Sequence, residues 1–359
     1  MMRVCVIGAG AIGGFIGARH ASAGHEVSLV ARGAHVEALR ARGVTLVSGG
    51  APGSGPPGSV VSTQSVTLGP GGFHQVAAPD GFFGTARVER TAGSAPFYAY
   101  GVVNDNANSD GSFVAPAPLA SLGGTAGITL PVVVEASVFS TELILANASA
   151  EAKRVRLSLH ADALGASPAT SVLDLAAGAQ VTIPDFVAAL RSSGASVPSP
   201  VVGPLVVSVE GGTTSGLFVG ARTGSPGSRG RYALFCAGVP AGTASSSAAW
   251  LNGLQQTATT RTNLALVNTG EVDGNAVELL VELFDGATGA KAGERRVAVG
   301  ARRQLQVNAV LGEVAPGTAT GYARVTRVSG ANPFIAYAVL NDGGTPRARS
   351  DDGAWVTSD

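Results

Sequence analysis

Gly84-Thr-Ala-Arg-Val-Glu-Arg-Thr-Ala-Gly-Ser-Ala-Pro-Phe-Tyr-Ala-Tyr-Gly-Val-Val-Asn-Asp105 and Gly321-Tyr-Ala-Arg-Val-Thr-Arg-Val-Ser-Gly-Ala-Asn-Pro-Phe-Ile-Ala-Tyr-Ala-Val-Leu-Asn-Asp342 are one passage written twice. The two copies align at a constant offset, with 13 of 22 positions identical and no gap. Each copy has two alternating runs rich in β-branched and aromatic residues around a Gly/Pro turn, which reads as two strands. A fainter copy, Gly203 to Arg222, puts Leu205 to Val209 and Gly216 to Gly220 at the same two positions. The aromatic pairs Phe97/Tyr100 and Phe334/Tyr337 could stack on sugar rings, but in an alternating strand Phe97 and Tyr100 face opposite ways, so at least one of these two is expected in a core.

The passage is the back half of a longer unit. Its front half recurs as Thr141-Glu-Leu-Ile-Leu-Ala-Asn147 and Thr262-Asn-Leu-Ala-Leu-Val-Asn268, each followed by a turn and an alternating strand, Val155 to His160 and Val277 to Phe284. The recurring order is two strands, a loop, two more strands, a short helical turn (Asp185 to Arg191; Asn308 to Leu311) and a final hairpin. About 100 residues with a strand every 8 to 12 predicts an antiparallel β-sandwich. Residues 128–250 and 251–359 are each expected to form one. Residues 60–127 hold only the back half, which cannot close a two-sheet core without borrowed strands. The fold class expected is therefore mainly β, with tandem antiparallel β-sandwich repeats. This part of the chain looks like tandem β-sandwich modules of secreted bacterial proteins, a resemblance that implies no catalytic chemistry.

Composition agrees with many short strands: 51 glycines, 19 prolines, 13% charged and 5% aromatic residues among 359. The formal net charge is zero and basic residues are interleaved with acids, so neither nucleic acid nor an anionic membrane is expected as a partner. No apolar run approaches a membrane span. Cys5 and Cys236 sit in segments of different character and read as two buried thiols.

Residues 1–49 have a different grammar. Val4-Cys-Val-Ile-Gly8-Ala9-Gly10-Ala11-Ile12-Gly13-Gly14 reads as a buried strand, a glycine turn and a helix. Gly8 permits the tight turn, Gly10 lets a pyrophosphate approach the backbone, and Gly13 lets the helix pack against the strand. Ile12, Phe15 and Ile16 share a helical face, Gly24 ends the helix, and Glu26 to Ala31 is a second strand. Where an NAD site carries an acid for the ribose, this chain has Arg32, which suits the extra phosphate of NADP. A helix from Ala34 to Arg42 and a third strand from Val44 complete a partial Rossmann-like α/β unit. Gly49 to Ser59 is a Gly/Pro/Ser linker (residues 50–59 between the two regions).

The blocks Val6 to Gly14, Ala23 to Val27, Leu29 to Gly33 and Leu39 to Val44 resemble the N-terminal part of ketopantoate reductases, which reduce 2-dehydropantoate with NADPH. The resemblance ends at Gly49 and covers about one seventh of the chain. It implies NADP as cofactor, with Gly8, Ala9, Gly10, Ala11, Ile12, Gly13 and Arg32 around it. Such enzymes next supply a lysine, an asparagine turn and a helical domain with a catalytic lysine and a substrate-binding glutamate. This chain has two lysines, Lys153 and Lys291, both in connectors of β-rich sequence. A group that stabilises an alkoxide and delivers a proton must sit at the cofactor. No catalytic residue is assigned, and reductase activity is expected to be lost.

Other candidate sites reduce to structure. Asn104 to Gly111 is rich in oxygen ligands, but Ala117 stands where a calcium loop would close with glutamate, so a turn built from Asx side chains is expected. His20, His25, His35, His74 and His160 show no metal-ligand spacing. A glycan or protein partner of the repeats is left open. The N-terminus reads as cytoplasmic, without a convincing signal peptide, whereas the repeats are of a secreted type. The change of grammar at the linker, into the middle of a repeat, has the form of a gene fusion or of an assembly error joining two genes.

Overall fold

A computed structural model describes strands at residues 3–7, 26–30, 44–48 and 353–357, and residues 56–342 apart from 80, 109, 118–121 and 228. The protein is mainly β, with several antiparallel sheets. It divides into two compact units, residues 1–97 and 98–359.

In the first unit β1 (Arg3–Ile7) and β2 (Glu26–Val30) pair parallel, from Arg3 opposite Glu26 to Ile7 opposite Val30. The glycine turn and both expected helices fall outside the described residues. The expected third strand exists as β3 (Val44–Ser48), but it belongs to a separate sheet. There it lies between β4 (Val60–Gln64) and β5 (Gly84–Val88), antiparallel to both. A short alternating run has the same period beside any neighbour, and β4 follows closely enough to form an antiparallel hairpin, whereas a parallel partner needs a long crossover.

The second unit opens with the hairpin β6 (Gly101–Asn104) and β7 (Gly111–Val114). Then come β8 (Ile128–Glu135), β9 (Ser140–Asn147), β10 (Lys153–Leu159), β11 (Ala169–Leu175), β12 (Gln180–Ile183), α1 (Phe186–Ser192), β13 (Val201–Val209), β14 (Leu217–Pro226), β15 (Arg231–Ala237) and β16 (Val239–Pro240). These strands form sheets ordered β11-β10-β13-β8-β16 and β12-β9-β14-β15. The chain continues through β17 (Ala248–Gln255), β18 (Thr260–Asn268), β19 (Val277–Asp285), β20 (Lys291–Val299), β21 (Arg303–Val307), α2 (Val310–Val314), β22 (Thr320–Ser329), β23 (Phe334–Asp342) and β24 (Gly353–Thr357). Their sheets are ordered β17-β22-β19-β20 and β21-β18-β23-β24. Exchanging β8 through β15 for β17 through β24 converts one pair of orders into the other, with β16 added at one edge.

Each pair of sheets shares one core. Leu130, Leu157 and Leu205 from one sheet meet Leu143, Leu145 and Val219 from the other, and Phe186 and Leu190 of α1 close the end. Helix α1 starts where Asp185 accepts the Ala188 N–H at 3.0 Å, an N-cap that satisfies one free donor of the first turn. In the second core Leu279, Leu283 and Val325 meet Leu264, Leu266 and Phe334, under Val310 and Leu311 of α2. The alternation of half-buried and buried residues along β9 from Ser140 to Leu145 is the strand period seen in the sequence, whereas β18 is buried throughout its last five residues.

Two polar anchors recur at equivalent places. The Thr141 hydroxyl accepts the Val134 N–H (2.8 Å) and donates to the Val134 carbonyl (3.0 Å); Thr262 does the same with Gln255 (2.8 and 2.9 Å). Asn147 donates to the carbonyls of Glu151 and Ala176 and accepts from the Ser149 N–H. Asn268 donates to Asn275 and Val299 and accepts from Gly270. All four side chains are buried. The two halves of this unit meet through a third apolar cluster, Val132 with Ala265, Val267, Ile335 and Tyr337.

Candidate functional site

The strands that should carry the nucleotide site end side by side. Parallel, in-register pairing brings Ile7 and Val30 level, so the chain leaves both strands at the same edge. Phosphate-binding turns begin at such carboxyl ends in parallel sheets. Gly8, Ala9, Gly10, Ala11, Ile12, Gly13 and Arg32 themselves lie outside the described residues, as do His20, His25 and His35. The antiparallel placement of β3 means that the described sheet containing β1 and β2 has two strands.

Both lysines belong to strands of the antiparallel sheets. The Lys291 ammonium lies 3.1 Å from Glu282 and 2.5 Å from Glu294, and these carboxylates, Glu294 foremost, raise its pKa. Lys153 opens β10, opposite Leu175 at the start of β10's pairing with β11. Cys236 is buried, and desolvation pushes its thiol up to about 12, so it packs as an apolar side chain and is no nucleophile.

The oxygen-rich loop after β6 is a structural clasp. Asp105 accepts from Ala107 N–H (2.7 Å) and Asn108 from Asp110 N–H (2.8 Å), which are the Asx turns expected from the sequence. The same loop reaches across to β15: Asp105 accepts from Arg231 N–H (2.8 Å), Asp110 from Ala233 N–H (2.8 Å), and Ser112 donates to the Ala233 carbonyl (2.8 Å). These hydrogen bonds, led by the one from Ala107, hold the Asp105 carboxyl below its ordinary pKa. Gly230 makes the approach possible, because a Cβ there would run into the Asp105 carboxylate. A cavity of about 220 Å³ remains between hairpin and sheet, lined by Asp105, Asp110, Glu142, Arg222 and Arg231. Arg222 is paired with Glu142 (Nε to Oε1 2.7 Å), whereas Arg231 donates to the carbonyl and hydroxyl of Ser140 and its buried Nε has no hydrogen-bond partner.

Two further clusters have no counterpart in the sequence reading. On the outer face of β17, β19 and β22, Phe284 and Tyr322 stack 5.0 Å apart and Trp250 lies about 6 Å from both, with Arg324 over the Trp250 ring at 5.6 Å. Beneath them Glu282, buried, accepts from Arg324 (2.6 and 2.8 Å) and Lys291, which lower its pKa. The rings pack on one another across the strands, as cross-strand aromatic pairs do. In the other cluster His160 is buried beside Arg302 and Arg303; desolvation first, then the two cations, lowers its pKa to about 4. Of the aromatic pairs singled out in the sequence, Phe97 and Tyr100 are both exposed, against the expectation that one of them is core, since residues 97–100 lie in no strand; Phe334 and Tyr337 are both buried. Phe334 enters the second core and Tyr337 the cluster between the halves, so both faces of β23 are covered.

Among the described residues no group of His, Cys, Asp and Glu is arranged to hold a metal ion, and no helix is long and apolar enough to cross a membrane.

Comparison with known proteins places similarity at the N-terminus. The model of the family described as ketopantoate reductase PanE/ApbA matches residues 4–70, so the match runs on past Gly49, where the resemblance carried by the sequence blocks ends, through the linker and β4. A 2-dehydropantoate 2-reductase of Mesorhizobium japonicum is 50% identical over 50 residues, which are 14% of this chain and 15% of that protein. The N-terminal segment is thus ketopantoate-reductase-like over a small share of either chain.

Proposed function

We propose that residues 1–49 are an NADP(H)-binding fragment of ketopantoate-reductase type, fused to non-catalytic β-sandwich modules at 128–250 and 251–359, and that reductase activity has been lost. The family match over residues 4–70 carries the cofactor reading, and β3 carries the loss of activity. A strand that would widen the nucleotide sheet pairs instead with β4 and β5, in a region still covered by the family match. A cofactor crevice of this type needs more parallel strands than two. Support for the loss of chemistry comes from Lys291, held by Glu282 and Glu294 in a β-sheet hairpin. The module reading rests on the matched strand orders, the matched Thr and Asn anchors and the two closed cores.

Cofactor recognition in this reading uses Gly8, Gly10 and Gly13 for the pyrophosphate and Arg32 for the 2′-phosphate. Titration calorimetry with NADPH tests it: heat that disappears in Arg32→Ala supports the reading, and no heat at millimolar cofactor removes NADP from it. Oxidation of NADPH with 2-dehydropantoate tests the alternative of an active reductase, and no turnover is expected. The remaining alternative is a structural or adhesive protein whose modules act alone; it is favoured by the two cores, whose sheets are filled by apolar side chains among the described residues. Residues 251–359 expressed alone should fold cooperatively if they are a module.

A further inference from the structure

The β6/β7 hairpin is the end of a module that lacks its front half. Its pairing is Gly101 opposite Val114, Val102 opposite Phe113, Val103 opposite Ser112 and Asn104 opposite Gly111. In the last module the residues aligned with Gly101 to Asn104 pair as Ala338 opposite Val356, Val339 opposite Trp355, Leu340 opposite Ala354 and Asn341 opposite Gly353. The two hairpins are equivalent residue for residue, although the loops between their strands differ in length.

What differs is the other side. β23 is paired along its length by β18, from Phe334 opposite Asn268 to Asp342 opposite Thr260. Among the described residues β6 pairs with β7 alone. The consequence is exposure of side chains that the complete copy buries: Tyr98 is 67% exposed where Ile335 is 9%, and Tyr100 is 43% exposed where Tyr337 is 2%. Within this chain the pattern Thr-x-Leu-x-Leu-x-Asn occurs at 141–147 and 262–268, and both copies are inner strands of their own sheets. The hairpin is nonetheless held in place, because Asp105, Asp110 and Ser112 tie it to β15. A preformed strand edge with apolar side chains on it is what strand addition requires, with main-chain hydrogen bonds giving affinity and alternate side chains giving specificity.

We propose that β6 is a receptor for a strand of the pattern Thr-x-Leu-x-Leu-x-Asn supplied by another polypeptide, added in the register that β18 takes on β23. The register puts the Thr of the pattern opposite Val103 and its first Leu opposite Gly101. The proposal rests on reading residues 84–114 as the back half of the module described above, and it is independent of the cofactor.

The test uses the full chain and a fluorescent peptide, Thr-Arg-Thr-Asn-Leu-Ala-Leu-Val-Asn, copied from 260–268. Saturable anisotropy is expected, at least tenfold weaker with the double variant Val102→Asp, Val103→Asp, and unchanged with Val272→Asp, a control on another exposed loop residue. Hydrogen exchange should show new protection at 101–104 on peptide binding. The proposal is overturned by absent binding, by binding indifferent to the double variant, or by protection changes confined to 334–342, which would mean that the peptide displaces β18. Self-association of the chain that the double variant abolishes would overturn it in favour of a second copy at this edge. Cooperative folding of 251–359 alone, with no peptide binding, would leave the module reading standing and sink this one.

Discussion

Asn147 and Asn268 each bridge a strand end to loop backbone from inside the protein. Asn268 satisfies the carbonyls of Asn275 and Val299 and the N–H of Gly270. Asn268→Ala leaves these groups without their partner, at roughly 1–3 kcal/mol for each buried polar group so stranded. A loss of about 3 kcal/mol is expected, read as a lower urea midpoint at unchanged slope. His160 is a titrating counterpart. Its pKa is lowered from 6.5 to about 4, so between these values the unfolded chain takes up a proton that the folded chain refuses. Stability should therefore fall as pH drops from 6.5 to about 4, by at most about 1.4 kcal/mol per pH unit from this group. Urea titrations of His160→Gln across that range should show a shallower slope; an unchanged slope would refute the assignment. In the sequence His160 reads only as a histidine without metal-ligand spacing, because the cations that face it, Arg302 and Arg303, belong to the other repeat.

The Asx turns after β6 and the helix start at Asp185 are legible in the sequence because each depends on neighbours a few residues off. The kinship of β9 and β18 is legible because each carries its own Thr and Asn. Pairing is not: β3 shows the same alternation whether its neighbour runs parallel or antiparallel, and the Glu282, Arg324 and Trp250 cluster joins three strands that only the register sets side by side. The docking of the hairpin on β15 belongs to the same class, since Asp105 finds its donor at Arg231, in a different repeat. Gly230→Ala tests that docking. The new Cβ would collide with the Asp105 carboxylate, and the φ of +70° at this position is a backbone that glycine tolerates and alanine resists. Exchange of the Arg231 and Ala233 amides should accelerate at least tenfold, while the β10 and β19 amides stay unchanged.

At the scale of the molecule, the two closed cores of residues 98–359 are joined by the cluster of Val132, Ala265, Val267, Ile335 and Tyr337. Burying a carboxylate there without a partner is costly. Val267→Asp is expected to split one calorimetric unfolding transition into two, and a single cooperative transition in the variant would show that the cores unfold together for another reason. The clasp on β15 has a further consequence, for colloidal behaviour in acid. An outermost strand offers its amides to any passing chain, and here two of those amides are capped by the Asp105 and Asp110 carboxylates. The Asp105 carboxylate, with its lowered pKa, contributes stability that is present above the ordinary aspartate value of 3.8 and fades as the pH falls through its folded value. Light scattering at pH values below the ordinary aspartate range should therefore report slow growth of strand-edge aggregates, reached at higher pH by Asp105→Ala, so that the β6/β7 hairpin acts as a guard against fibrils.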